Sequence, residues 1–198
     1  MCNEYENNAV WEAYCAEFSR LKIHPLPNVA PNWLQPFASI RVSQDGPVIR
    51  LGEGAPPLAQ MRFGWPSPRG APVFNMRSEG RAFSRRCVIP ATAFFEFTEP
   101  PGWKKGQRKT RHRFTMNGAP LFGIAATWRS PEGDIGEAFS MLTTSPGPDV
   151  APIHDRQIVL LAPDAWKEWL GADERDAQAE LLKPAPAGTL SVETVATA

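Results

Sequence analysis

Apolar and polar positions along this chain alternate or cluster in short runs, the spacing of strands more than of long helices. Phe37–Val42, Val48–Leu51, Ala59–Phe63 and Val73–Asn75 read as strands. So do Ala93–Thr98, Arg113–Met116, Leu121–Trp128, Ala138–Thr144, Gln157–Leu161 and Leu190–Val195. Helical spacing is confined to a few places. Val10, Trp11, Tyr14, Cys15 and Phe18 share one face of a helix over Asn8–Phe18, with Asn7 or Asn8 as its N-cap. Short helices are also expected over Arg81–Cys87, over Pro163–Leu170 with a proline in the first turn, and over Asp173–Leu182. His24–Pro36 is too proline-rich for a helix and reads as an extended loop, with Pro100–Gly106 and Ser130–Gly136 as turns. The pattern predicts an α+β fold: a single β-rich domain over residues 1–198, with a barrel-like antiparallel or mixed sheet and flanking short helices.

Composition narrows the class. A chain of 198 residues with 42% hydrophobic and 21% charged residues buries a real core and is not disordered. No apolar run approaches the roughly 20 residues that span a bilayer. Asn3, Glu4 and Glu6 interrupt any leading apolar segment, so a cytoplasmic protein without a signal peptide is expected. Cys2, Cys15 and Cys87 make no even disulfide framework, and with three histidines they show no metal-ligand spacing. Neither metal nor cofactor is expected, and a monomer is the simplest assembly. Net charge is zero, yet basic residues gather at Arg77, Arg81, Arg85 and Arg86 and again from Lys104 to Arg113. A neutral chain with one basic face remains compatible with a phosphate backbone.

Candidate chemistry starts at Met1-Cys2. A cysteine is small enough for the initiator methionine in front of it to be trimmed. The chain would then begin with an aminothiol: an α-amine of pKa about 7.7–8.0 beside a thiol of about 8.5. Such a pair closes onto an aldehyde, through an imine, as a five-membered thiazolidine, and it can also serve as a nucleophile with its own base. Polar residues interrupt three later apolar stretches: Asn75, Arg77, Ser78 and Glu79; Glu96 among Phe94, Phe95 and Phe97; and His154, Asp155 and Arg156. Alternation puts Glu96 with Phe94 and Thr98, either facing solvent or buried with a raised pKa.

In order, Met1-Cys2, NVAP at Asn28–Pro31, RFG at Arg62–Gly64, NMRSE at Asn75–Glu79, RRCVIPATAFFEF at Arg85–Phe97 and IHDR at Ile153–Arg156 resemble the SOS-response-associated peptidase family. The resemblance is strongest over residues 2–170 and implies a β-rich domain with flanking helices. Some family members crosslink to abasic sites in DNA. The partner it implies is single-stranded DNA containing abasic sites, with association with the nucleoid on damage. Cys2 matches the residue that captures the sugar aldehyde, Glu96 the proton donor, His154 a proton shuttle and Asn75 the group that holds the cysteine. Arg77 matches a phosphate ligand, and Phe63 falls where the family has a tryptophan that stacks on bases, with Trp65 two residues on. Arg85 and Arg86 are further candidates for phosphate contact. Asn3-Glu4 departs from the family's commonest Gly-Arg opening and sets a carboxylate beside the nucleophile. Gln157-Ile158 replaces the usual Met-Pro. A cysteine peptidase using Cys2 with Glu96 or His154, and a non-catalytic reader of modified or single-stranded DNA, are the alternatives.

Overall fold

A computed structural model of the protein describes residues 2–22, 29–51, 57–68, 70–130, 136–171 and 175–195. Met1, Asn28, Asp173, most of the expected loop before Val29 and residues 131–135 of the expected turn lie outside the described residues. The chain opens with β1 (Glu4–Asn7), α1 (Trp11–Leu21), β2 (Phe37–Arg41), β3 (Asp45–Ile49), β4 (Leu58–Phe63) and β5 (Asn75–Arg77). Then follow β6 (Arg86–Ala91), β7 (Ala93–Thr98), β8 (Thr110–Met116), β9 (Phe122–Arg129) and β10 (Ala138–Thr144). It closes with β11 (Gln157–Ile158), β12 (Leu160–Leu161), α2 (Ala165–Gly171), α3 (Arg175–Leu181) and β13 (Leu190–Val195). Among the described residues no helix is long and apolar enough to cross a membrane.

Two sheets face each other. One is five-stranded and antiparallel, in the order β13-β8-β7-β1-β2. The other is eight-stranded and mixed, in the order β11-β10-β4-β3-β6-β9-β12, with β5 and β4 both parallel to β10. Because β9 also pairs with β10, the pairing runs from β10 through β4, β3, β6 and β9 back to β10. This is the barrel-like sheet that the alternation predicts, but it is not strictly closed. At the β3–β6 seam only Ile49 and Val88 are in register.

The core between the sheets is aromatic. Phe63 stacks on Phe139 at 5.1 Å, Phe94 stacks on Phe114 at 4.8 Å, and Tyr5 meets Phe63 edge-on at 5.8 Å. Each such ring contributes about 1.5–3 kcal/mol by leaving water. On the far side of the eight-stranded sheet, Tyr14 and Phe18 of α1 and Trp166 and Trp169 of α2 cover Ile49, Val88 and Leu142.

Two strands lie where the residue pattern does not predict them. Glu4–Asn7 is polar, yet all four residues are buried as the strand between β2 and β7. The reason is distant pairing: Arg111 Nη2 donates to Glu4 at 2.6 Å, and Arg113 donates to both carboxylate oxygens of Glu6, at 2.7 and 3.1 Å. Burial works against ionisation of Glu6, but the hydrogen bonds from Arg113 and Thr92 outweigh it and hold the carboxyl below its usual range. The helix expected over Arg81–Cys87 is absent; 81–85 is irregular and Arg86 opens β6. Six residues of β6 register with β9, and that ladder overrides local helix preference. Helix α1 starts later than expected, at Trp11, with Val10 as its N-cap. Asn7 is used elsewhere: its Nδ2 donates to the Pro90 carbonyl at 2.8 Å and to the Tyr14 hydroxyl at 2.6 Å.

Strand β1 delivers Cys2 to its position, and Gly46 permits it. A methyl group on Gly46 would lie 2.1 Å from the Tyr5 hydroxyl. Overpacking at such a contact costs about 1–3 kcal/mol. Gly46→Ala is therefore expected to lower Tm by several degrees and to displace β1, and an unchanged melting curve would show that Tyr5 yields without cost.

Candidate active site

Cys2 sits two residues before the start of β1, between the two sheets, with 1% of its surface exposed. Its Sγ donates to the Glu4 carbonyl at 3.3 Å. Burial, reinforced by the nearby Glu96 carboxylate, pushes the thiol well above its ordinary pKa, so it is protonated at neutral pH. From the eight-stranded sheet, β5 brings Asn75, whose Nδ2 donates to the Cys2 carbonyl at 2.7 Å. The Asn75 Oδ1 is buried and has no hydrogen-bond partner among the described residues.

From the five-stranded sheet, β7 brings Glu96. It shares a face with Phe94, and that face is the inner one. Glu96 is 1% exposed, and burial lifts its carboxyl to about 7. His154 follows a tight turn after β10, its Nε2 3.8 Å from Glu96 Oε2. The backbone N–H of Arg156 donates to His154 Nδ1 at 2.9 Å, which assigns the proton of the neutral ring to Nε2, on the Glu96 side. Asp155 also lies 3.0 Å from Nδ1, but its side chain is largely solvent-exposed and the directional backbone donor decides the tautomer. Burial lowers the His154 pKa, which favours the neutral ring. Asn3, Glu96, Phe97, Lys109 and His154 line a cleft of about 400 Å³. Cys2, Asn75, Glu96 and His154 thus converge, although 152 positions separate the first and last.

The structure sorts the remaining candidates. Arg77 ends β5 as an exposed side chain, two residues beyond Asn75. Trp65 is half-buried, bridged to Val73, with the Arg129 guanidinium 5.1 Å from its ring centroid. Arg85 is exposed, donates to Ser130 Oγ at 2.9 Å and lies over Trp128, which groups it with the end of β9 and not with Cys2. Two candidates are corrected. Phe63 is 0% exposed, enclosed by Tyr5, Phe74 and Phe139, so it is a core ring with no face left for a base. Arg86 is buried and donates to the carbonyls of Phe83, Trp169 and Leu170, so it caps the end of α2 and cannot reach a phosphate. Truncating it orphans three carbonyls. Arg86→Ala is expected to cost about 3 kcal/mol of stability, read as a lower Tm.

Two features are not legible in the sequence. Arg156 grips the Glu79 carboxylate with both Nη atoms and also donates to Thr143 O at 2.8 Å, tying the His154 turn to the end of β5. NMRSE and IHDR hold both residues, but nothing local says that they meet. The second is the setting of Glu4. Arg111 at 2.6 Å, Arg41 at 3.5 Å and the Ser39 hydroxyl at 2.7 Å surround its carboxylate. The carboxylate beside Cys2 is therefore neutralised, and cations remain in the neighbourhood.

The model of the SOS response associated peptidase (SRAP) family matches residues 1–198. The abasic site processing protein YoqW of Bacillus subtilis is 30% identical over 183 residues, covering 81% of this chain and 74% of that protein. The abasic site processing protein YedK of Escherichia coli is 27% identical over 187 residues, covering 86% and 79%. Among solved structures, a Bordetella bronchiseptica protein superposes with a TM-score of 0.70 at 22% identity, over 99% of this chain and 100% of its own. A Bacteroides thetaiotaomicron protein gives 0.74 at 16% identity, over 98% and 92%. At these identities the structural matches speak for the fold alone.

Proposed function

Because the chain belongs to the SOS response associated peptidase family, we propose that it acts on abasic sites in single-stranded DNA. In this reading Cys2, made the leading residue by loss of Met1, captures the open-chain sugar aldehyde as a thiazolidine. The observation that carries the reading is the convergence of a buried acid at about 7, a neutral histidine and an asparagine amide on Cys2.

The chemistry runs in two stages. The α-amine attacks the aldehyde carbon to give a carbinolamine, and Glu96 in its acid form protonates the departing hydroxyl, which leaves as water. Departure of water leaves an iminium, to whose carbon the Cys2 sulfur then adds. The S–C bond forms as the thiol proton passes to the Glu96 carboxylate and restores its acid form, while the nitrogen keeps the proton it already carries. One water is lost overall. A thiol held protonated by burial leaves the amine as the first nucleophile. The same protonation weighs against peptidase chemistry, in which the thiolate attacks. Asn75 Oδ1, buried and unpartnered among the described residues, suits the carbinolamine hydroxyl as an acceptor. His154 Nε2–H, facing Glu96, suits proton exchange with it. The planar guanidinium of Arg77 suits a flanking phosphate, and the open part of Trp65 suits a stacked base.

The test uses untagged protein whose leading residue is verified as Cys2 by mass. Mixed with single-stranded DNA bearing one abasic site, it should give a heat-resistant band of protein plus DNA mass less one water. No adduct from such a chain would overturn the proposal.

A further inference from the structure

The basic run from Lys104 to Arg113 divides in two in the structure. Arg111 and Arg113 lie on β8 and are spent on Glu4, Glu6 and Glu193. Lys104, Lys105, Arg108 and Lys109 occupy the connection between β7 and β8, where Glu99 is the one acidic residue. Lys109 pairs with Glu99 at 2.8 Å and lines the same cleft as Glu96 and His154. Lys104 and Lys105 are exposed, and neither has an acidic partner among the described residues.

The hairpin is ordered by its own contacts. Gln107 N donates to the Lys104 carbonyl at 3.0 Å, and Gln107 Oε1 accepts from Lys104 N at 2.8 Å. Trp103 Nε1 donates to the Gln107 carbonyl at 2.9 Å, and the Lys109 ammonium sits 4.9 Å from the Trp103 ring centroid. Gly102 and Gly106 supply the positive φ, 76° and 95°, that the tight tip requires. The cations are thus displayed on a preformed turn, at little cost in ordering when a ligand arrives.

We infer that the β7–β8 hairpin is a backbone clamp: Lys104 and Lys105 hold phosphodiesters of the DNA strand as it leaves the cleft lined by Lys109. The inference rests on the reading of this chain as a binder of single-stranded DNA. It assigns Lys104 and Lys105 affinity without sequence preference and no part in the bond-forming steps. Arg77 belongs to the other sheet, so a strand lying over Cys2 meets cations from both.

The test is fluorescence anisotropy with a long undamaged single-stranded oligonucleotide, and with a very short one, over a series of salt concentrations. Removing one phosphate-binding cation from a single-strand complex makes the slope of log K against log[salt] shallower by about 0.7. Lys104→Ala/Lys105→Ala should therefore flatten the slope for the long strand by about 1.4, leave the short strand unaffected and keep the wild-type Tm. Lys104→Arg/Lys105→Arg should restore the slope. An unchanged slope for the long strand in the double alanine variant would overturn the clamp. Displacement of the long strand by polyglutamate at equal charge concentration would also overturn it, reassigning the hairpin to an acidic protein partner. Because no abasic site is present, failure to crosslink in the earlier experiment leaves this result standing, whereas wild-type protein that binds no strand at all would remove both.

Discussion

Cys2→Ala, with its leading residue verified, should give no heat-resistant DNA adduct while still giving one that borohydride traps. The alanine retains the α-amine, so the imine forms and reverts; what is lost is the ring that locks it. A thiol separated from the imine nitrogen by two carbons closes with an effective molarity of about 10⁵–10⁸ M, so the unreduced adduct should fall by orders of magnitude. A control with its amine blocked by acetylation keeps the thiol and should give neither adduct. Equal heat-resistant adduct from Cys2→Ala would place the crosslink elsewhere in the chain. Adduct from the acetylated protein would make the thiol, not the amine, the first nucleophile.

Glu96→Gln should slow adduct formation by about 10²–10⁴-fold, the usual range for removing a positioned general acid. It should also change how stability depends on pH. The carboxyl is raised by burial from an ordinary 4.5 to about 7. Between those values the folded chain keeps a proton that the unfolded chain has released, so stability must fall as pH rises through that window. The difference is on the order of 3 kcal/mol, read as a Tm that declines from acid to neutral pH. Glutamine is isosteric and does not ionise, so its Tm should vary less across the same window and exceed the wild-type value at pH 7. A variant that keeps the wild-type decline would assign the titration to another group. In the wild type, adduct formation should also weaken above about pH 7 as Glu96 loses its proton, a limb that the glutamine variant lacks.

Arg86 and Phe63 show where residue type misleads. A guanidinium bonded to helix-end carbonyls and one bonded to phosphate look alike in a sequence, as do a stacked core phenylalanine and a base-stacking one. Each is decided by what the rest of the chain lays over it. Arg86 meets the end of α2, more than eighty residues away, and Phe63 meets Phe139. Glu96 is a milder case. Alternation pairs it correctly with Phe94, but which face of β7 is covered depends on β9 and on the position of Cys2. Strand β1 is the extreme: EYEN reads as surface until Arg111 and Arg113 arrive to neutralise its two glutamates.

Periodicity by itself determined most of the local structure: the strands around Ala59–Phe63, Ala93–Thr98 and Ala138–Thr144, and helices near the positions of α1, α2 and α3. The sequence by itself singled out Cys2 as a leading aminothiol, and Asn75, Glu96 and His154 as an amide, a carboxylate and an imidazole that interrupt otherwise apolar stretches. Tertiary structure alone decided their burial, their distances and their protonation. Those quantities arise from contacts between segments up to 152 positions apart, and a desolvated carboxyl or a neutralised Glu4 exists only once both sheets have closed over it.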